Sequence, residues 1–505
     1  LTGANGYTGA TTVNGGTVKG GNANAFSANS ATTINPTGTV DLGGVAQTIN
    51  AVSLAGGTLT NGALTGAITS TGGTVNNITG AASLTNTSGT TTLTGANGYT
   101  GATTVNGGTV KGGNANAFSA NSATTINPTG TVDLGGVAQT INTVSLAGGT
   151  LTNGALTGAI TSTGGTVNNI TGSASLTNTS GTTTLTGTNG YTGATTVNGG
   201  TVTVATGASL SSPTSIASGG TFNNNGTMTG TVNNACGGNV NNAGSISNSV
   251  TNAGALSNLG TISGSLINNT PCGVVNNTGT LSGTVTNNAT LHNNGGGTIS
   301  GPTTNSSTGV MTNAGLINNT LANAGQLTNT GTISGTVTNS STGTLTNASG
   351  GTISNALTNS GNVQNQAGAL ISGAVTNNLG GVIDNYSAIN NTVANFGTLN
   401  LNGTPTVTGA ISGTGVVNVN GTFTQEATIA ASQVNVNSGG TLNMTNSIAG
   451  NTTVFGNSEL NVLGTNTITG NVVNSGTINP RDSATDLNID GHYTMTSGAN
   501  FDSQT

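Results

Sequence analysis

Four residues near the end of the chain form its densest group of potentially reactive side chains. They are Asp482, Asp486, Asp490 and His492. Carboxylate oxygens are ligands that Ca²⁺ prefers, so a calcium site is one interpretation of this group. A spacing of four residues places side chains on one face only in a helix, whereas this region has the composition of strands. We therefore predict a solvated loop and no metal site.

The other acids and the second histidine are too scattered for catalysis. Asp41 and Asp133 hold the same position in two repeat copies, about five coils apart, whereas paired catalytic carboxylates lie within roughly 10 Å of each other. His292 and Asp384 fall at outward strand positions and are interpreted as surface residues. The sequence contains no HExxH, CxxC, phosphate-loop or Ser-His-Asp pattern. We predict no catalytic residue, no cofactor and no enzymatic activity.

The elements that carry His292 and Asp384 follow a short repeat between Met228 and Leu399. An apolar residue is followed four positions later by a second one, and Asn follows two positions after that. Successive copies are 16 to 20 residues apart, and a period of about 18 residues indicates a solenoid. The Asn is present in all ten copies, at Asn234, Asn252, Asn268, Asn287, Asn305, Asn323, Asn339, Asn359, Asn377 and Asn395.

One coil, residues 279–296, shows why the repeat favours strands. Three short runs each place one apolar residue between polar ones, and Leu281, Val285 and Leu291 would point inward. One coil cannot bury three aliphatic side chains, but stacked coils about 4.8 Å apart can. We predict an all-β fold, a right-handed parallel β-helix with about 18 residues per coil. Its roughly 28 coils would form a rod on the order of 130 Å long.

The Asn residues are predicted to form ladders at the bends between strands. An amide has both a donor and an acceptor, so identical Asn side chains can bond along the stack. A column of Asp would instead place like charges roughly 5 Å apart, at a cost of several kcal/mol per pair in a partly dry turn. The recurrence of Asn is thereby explained.

Three regions are distinguished along the chain. Residues 1–202 hold two full copies of a 92-residue unit and part of a third, and the full copies differ only at Ala51/Thr143 and Ala81/Ser173. Residues 203–400 hold the Asn-ladder coils. Residues 401–505 have a looser pattern and are predicted to be the last coils. We expect further repeat units or a targeting segment before Leu1, and a continuation after the last residue.

The segment LTGANGYTGATTVNGGTVKGGNANAF, at 1–26 and 93–118 and partly at 185–202, closely resembles the autotransporter-associated β-strand repeat. Tyr7, Tyr99 and Tyr191 hold the Tyr position of that motif. Residues 473–501 resemble the end of such passenger domains, except that Pro480-Arg481 replaces the usual Pro-Gly. The resemblance implies a type V secreted protein of a Gram-negative bacterium, on the cell surface or released. It also implies an outer-membrane barrel in cis, repeats that assist export, and C-terminal coils that nucleate folding.

Charge and cysteine content restrict the partners and the compartment. Three basic and nine acidic residues give a net charge of −6, so binding to nucleic acid or to anionic lipid is excluded by the absence of a basic patch. Cys236 and Cys272 are the only cysteines. We predict a disulfide between them, which suits an oxidising extracellular compartment. Two free thiols are the alternative.

The composition favours a surface-exposed adhesive rod. Long faces of Thr, Ser and Asn with little charge could bind glycans, host-cell or abiotic surfaces, or identical rods on neighbouring cells. Three alternatives stay open. The chain could be a passive stalk for an upstream effector domain, a polysaccharide-active β-helix enzyme, or an ice-binding protein, for which GTTTLTG at 89–95 is suggestive.

Overall fold

The structure is a computed structural model, and it describes residues 1–481 and 485–502. The described strands pair in parallel, each with the strand one turn away. The predicted all-β parallel solenoid is confirmed, with about 27 turns about 18 residues apart. The right-handed sense of the coil stays a prediction. The chain divides into two compact units, Leu1–Leu256 and Ser257–Thr505.

The first unit contains unusually long strands, because glycines bend the chain without interrupting the sheet. Gly73, inside the 34-residue strand Ala46–Thr79, has φ +123°. A Cβ there would clash with the backbone oxygen of Gly57 one turn away, so only Gly fits. The strands of this unit are Thr11–Lys19, Ala31–Asp41, Ala46–Thr79, Ser83–Asn86, Thr90–Thr94, Thr103–Gly112, Ala123–Asp133, Ala138–Thr171, Ser175–Asn178, Thr182–Thr186, Thr188–Asn189, Thr195–Val197, Gly200–Val204, Ser209–Leu210, Thr214–Ile216, Gly220–Asn224, Thr227–Met228, Val232–Asn234, Asn239–Asn242, Ser245–Ile246 and Val250–Asn252.

One pairing inside a 92-residue copy differs from the pairing that the apolar pattern predicts. The sequence pattern aligns Val110 with Leu93, but Val110 lies over Thr91, two residues earlier. Thr91 points inward because its hydroxyl lies 2.6 Å from that of Ser70 and donates to Oδ1 of Asn86 at 2.5 Å. A polar residue with satisfied hydrogen bonds thus occupies a core position that the apolar pattern did not indicate.

The second unit has three strands per turn as far as Val419. Strand Ala255–Asn258 lies at the boundary between the units. The two-residue first strands are Thr261–Ile262, Thr280–Leu281, Thr298–Ile299, Leu316–Ile317, Thr332–Ile333, Thr352–Ile353, Leu370–Ile371, Ala388–Ile389 and Thr406–Val407. The second strands are Leu266–Asn268, Val285–Asn287, Thr303–Asn305, Leu321–Asn323, Val337–Asn339, Leu357–Asn359, Val375–Asn377, Val393–Asn395 and Ile411–Ser412. The third strands are Val274–Asn277, Thr290–Asn293, Val310–Asn313, Gln326–Asn329, Thr344–Asn347, Asn362–Asn365, Val382–Asn385, Thr398–Leu401 and Val416–Val419.

Beyond Val419 the strands merge and a separate sheet begins. That five-stranded sheet consists of Thr422–Thr424, Thr441–Met444, Glu459–Val462, Thr477–Pro480 and Asn500–Phe501. The remaining strands are Ile429–Val436, Ile448–Val454, Asn466–Ile468, Val472–Asn474, Leu487–Ile489 and Tyr493–Met495. Among the described residues, no helix is long and apolar enough to cross a membrane.

The core of the second unit is built from the predicted inward positions. Leu281, Val285 and Leu291 are each 1% exposed or less. Ile299 lies over Leu281 and under Ile317, and this apolar column continues to Val407. Stacking of equivalent side chains therefore gives the buried apolar surface that stabilises each turn.

Candidate functional surface

The predicted Asn residues form a buried column in each unit. In the first unit, Nδ2 of Asn234 donates to Oδ1 of Asn252 at 2.7 Å. In the second unit, seven consecutive bonds of 2.8 Å join the eight members. The ten side chains of the two units are each 1% exposed or less. The second-unit members of this first Asn column are Asn268, Asn287, Asn305, Asn323, Asn339, Asn359, Asn377 and Asn395.

The position of the column differs from the predicted one. The sequence pattern placed these Asn residues in bends, but each ends its strand and points into the core. Nδ2 of Asn305 donates to Asn323 and also contacts the carbonyl oxygens of Gly309 at 3.2 Å and Gln326 at 3.0 Å. The amide thus fixes both the next coil and the turn after its own strand, which makes a buried polar residue tolerable.

A second Asn column follows the third strands of the second unit. It runs from Asn258 to Asn385 with one direction of donation, and Asn385 lies under Leu401. Nδ2 of Asn385 has no hydrogen-bond partner among the described residues. In the first unit, Oδ1 of Asn224 and of Asn234 likewise has none. The second column therefore ends in an unsatisfied donor at Asn385, whereas Nδ2 of Asn395, at the end of the first column, donates to the carbonyl oxygen of Val416 at 2.9 Å.

The acids of the repeats take part in local ion pairs. Asp41 pairs with Lys19 at 3.6 Å and accepts hydrogen bonds from Gly43 N–H and Asn61 Nδ2. Burial acts to raise the pKa of Asp41, but the two hydrogen bonds and the Lys19 charge outweigh it and lower the pKa below 3.8. Each carboxylate is thus occupied within its own repeat.

In the second copy, Asp133 pairs with Lys111 at 3.9 Å. The corresponding lysine position of the third copy is Thr203, whose partner in the register is Asn223. Both members of the pair are therefore neutral there.

The other candidate residues stand apart from one another. Nδ1 of His292 hydrogen-bonds with the hydroxyl of Thr312 at 2.8 Å, and Oδ1 of Asp384 accepts from Nδ2 of Asn400 at 2.7 Å. Both face outward and are half-buried. Among residues 1–481 and 485–502, no three His, Cys, Asp or Glu side chains are grouped in a way that could hold a metal ion.

Of the predicted C-terminal group, Asp482 lies outside the described residues. Asp486 and Asp490 flank the strand Leu487–Ile489, and the backbone N–H of His492 donates to Asn471.

Cys236 and Cys272 are both disulfide-bonded, and neither is free.

The repeat tyrosines have a role that the sequence did not reveal. Tyr99 is fully buried, and its hydroxyl lies 2.9 Å from that of Thr103, which in turn lies 3.1 Å from that of Ser122. Burial raises the pKa of Tyr99 to about 12, although the Thr103 hydrogen bond acts to lower it. Tyr191 repeats the arrangement with Thr195. The constant Tyr-x-x-x-Thr spacing was the available signal.

An outward column of hydroxyl side chains runs along the first unit. Each member lies between two inward residues of a strand, and neighbours are in parallel register about 4.8 Å apart. We call it the Thr/Ser column. Its three registered runs are Thr12, Thr33, Ser53; Thr69, Thr85, Thr104, Thr125, Ser145; and Thr161, Thr177, Thr196, Ser215.

The two units differ in charge. Residues 1–256 contain two Lys and two Asp, a sum of zero, whereas 257–505 contain one Arg and seven acids, a sum of −6. The Thr/Ser column itself contains no charged residue. The first unit therefore presents a hydroxyl-rich surface with little electrostatic repulsion.

Comparison with known families identifies the repeats. Residues 1–19, 88–111 and 180–204 match the passenger-associated-transport-repeat family. No curated protein matched the chain in a sequence search. The three matched segments and the β-solenoid together fit an autotransporter passenger domain with repeats.

Proposed function

We propose that this passenger domain acts outside a Gram-negative cell, anchored at its surface or released, as an adhesive and self-associating β-solenoid. The observation that supports the proposal is the Thr/Ser column of the first unit. It offers a hydroxyl at every turn within a registered run and no charge. Many weak hydrogen bonds made by identical columns add up through repetition, so no single residue has to carry the affinity.

A second copy of the chain suits this column. Two such columns brought together have the same spacing of about 4.8 Å, so their hydroxyls can meet in register. A hydroxyl both donates and accepts, which makes the column complementary to itself. Glycans and abiotic surfaces that carry hydroxyl groups are further candidate partners.

The alternatives predict different observations. A polysaccharide-active enzyme needs acids or bases close together on neighbouring coils. Asp384 and His292 lie in different parts of the unit, and each is hydrogen-bonded to a neutral side chain. A passive stalk for an upstream domain would not make cells aggregate by itself.

The test is display of residues 1–505 on a non-aggregating bacterium. We expect displaying cells to settle, and we expect settling to stop when they are diluted among bare cells. Immunofluorescence with a C-terminal tag would establish display. Displayed chains on cells that stay dispersed and do not adhere to glass or to immobilised glycans would refute the proposal.

A further inference from the structure

We infer that the surface formed by the third strands Val382–Asn385 and Thr398–Leu401, with the bends beside them, binds a glycan of pyranose rings without acid groups. We call it the Asp384 surface. The inference deepens the adhesive role proposed above and rests on it.

Charge and exposed aromatic side chains are both scarce along this part of the chain, and they occur together. Asp384 is the only formally charged residue between positions 134 and 425. Tyr386 and Phe396 are 41% and 42% exposed, and no other aromatic residue among 8–454 is comparably exposed. Leu379 lies nearby in the chain and is 88% exposed. All four fall within 18 residues on consecutive turns.

The register brings these residues to one surface. Asp384 lies beside Asn400 in the parallel pairing of the two third strands. Tyr386 directly follows the strand that contains Asp384, at one end of that strand. At the other end, the N–H of Phe396 donates to the carbonyl of Asn377 at 2.7 Å, which places Phe396 one turn beyond Asn378, next to Leu379. Tyr386 and Phe396 therefore flank the strands at opposite ends, separated by a four-residue strand about 13 Å long.

The strands between the rings present hydrogen-bonding groups. Nδ2 of Asn400 donates to Oδ1 of Asp384 at 2.7 Å, and Nδ2 of Asn418 donates to Oδ1 of Asn400 at 2.8 Å. Asn435 continues this outward ladder with a bond of 2.9 Å to Asn418. Each amide of this ladder donates to the neighbour on the Asp384 side, and the Asp384 carboxylate can only accept hydrogen bonds. Because hydrogen bonds to a charged acceptor are about twice as strong as neutral ones, Asp384 is the preferred acceptor for the hydroxyls of a ligand.

This combination fits a sugar better than a protein or a membrane. The C–H faces of a pyranose ring pack against aromatic rings, while its equatorial hydroxyls donate to carboxylates and amides. The apolar groups are separated by a polar strand, so they do not form the continuous patch that a protein interface needs. Asp384 and the net charge of −6 in this unit disfavour acidic sugars and anionic lipids.

The experiment uses the 505-residue chain and an array of neutral, N-acetylated and acidic oligosaccharides. The strongest neutral or N-acetylated ligand is then titrated against Tyr386→Ala, Phe396→Ala and Asp384→Asn. Phe455→Ala and Glu426→Gln are matched controls, because Phe455 is also 42% exposed and Glu426 is an exposed acid of the same unit. We expect each of the three variants to bind about tenfold more weakly and the controls to stay within about twofold of the parent chain.

Three results would overturn the inference: no binding to any non-acidic sugar, a preference for acidic sugars, or equal affinities of variants and controls. Circular dichroism of every variant excludes loss of folding as the cause. The cell-settling assay is read separately. Settling that persists when glycan binding is absent refutes the Asp384 surface alone, and glycan binding without settling refutes self-association.

Discussion

Nδ2 of Asn305 donates a hydrogen bond of 2.8 Å to Oδ1 of Asn323, and both side chains are buried. The same bond recurs with the same direction along the second unit, so each amide is a donor to one neighbour and an acceptor from the other. Replacing one member therefore affects two others. This coupling distinguishes an Asn column from isolated buried amides.

Substitution inside the column is expected to be strongly destabilising. In Asn323→Ala, Oδ1 of Asn339 loses its donor, whereas Nδ2 of Asn305 keeps its contacts with the carbonyl oxygens of Gly309 and Gln326. An unsatisfied buried polar group costs about 1–3 kcal/mol, so we expect a loss of about 1–3 kcal/mol in the free energy of unfolding. Urea unfolding followed by circular dichroism measures the loss.

The control for this substitution is Asn362→Ala, which removes an exposed Asn of the same unit. We expect a change within about 0.5 kcal/mol. Equal effects of Asn323→Ala and Asn362→Ala would show that the column adds nothing beyond the general cost of removing an amide.

The buried tyrosines predict a loss of stability in alkali. The pKa of Tyr99 and of Tyr191 is about 12 in the folded chain, against 10.0 for an ordinary tyrosine. Between pH 10 and pH 12 the unfolded chain releases these protons and the folded chain does not. Stability therefore falls as the pH rises through this window, by about 3 kcal/mol for each tyrosine.

Denaturant titrations between pH 9 and pH 12 measure this fall. The variant Tyr99→Phe/Tyr191→Phe should show a shallower decline, because its remaining tyrosines are more exposed. Tyr386→Phe is the matched control and should leave the decline unchanged. A steep decline that persists in the double variant would assign it to other groups.

In the ion pair of the repeat, the acid is expected to contribute more to the stability of the fold than the base does. Lys111 is about half exposed, so Lys111→Thr should cost less than about 1 kcal/mol. Asp133 also accepts hydrogen bonds from Gly135 N–H and Asn153 Nδ2, and Asp133→Ala should cost about 1–3 kcal/mol. Thermal unfolding of the two variants compares them, and a larger effect of Lys111→Thr would contradict this ranking.

Asp41, the corresponding acid of the first copy, is expected to make the stability of the fold depend on pH in the acidic range. Because the pKa of Asp41 lies below 3.8, its contribution to stability is present above that value and is lost as the pH falls through the folded pKa. Asp41→Asn should weaken the acid dependence of unfolding in this range. An unchanged acid transition would show that Asp41 does not contribute to it.

Much of the fold follows from the sequence, because stacking forces equivalent residues into columns. The inward Leu281, Val285 and Leu291 were identifiable from alternation alone. The hydrogen-bond partners of the buried Asn residues could not be predicted from this alternation. The Asn residues were expected in bends, since Asn favours turns, yet tertiary bonds hold them at the ends of strands inside the core. The inward Thr91 was missed for the same reason.

The candidate surfaces were predictable only in part. Asp384 was recognised as an outward residue, but its relation to Phe396 depends on which turns lie side by side, and variable bend lengths conceal that register in the sequence. The Thr/Ser column was hidden because its members come from strands at irregular spacings of 16 to 21 residues.

The cysteines provide a chemical test of the disulfide that the sequence predicts. Mass spectrometry of the unreduced, proteolysed chain should show the peptide of Cys236 joined to that of Cys272. Since both cysteines are disulfide-bonded in the structure, no thiol should react with an alkylating reagent before reduction. Two alkylated thiols in the secreted chain would contradict the bond.

The central claim is that the Thr/Ser column mediates self-association, and settling of cells that display a charged column tests it most directly. Thr125→Lys/Thr161→Lys/Thr196→Lys places three charges on the column, and Thr150→Lys/Thr166→Lys/Thr184→Lys places three on the outward residues of other strands in the same unit. We expect the first triple variant to abolish settling through repulsion between copies, and the second to leave most of it intact. Equal settling of both variants and the parent chain would contradict the claim.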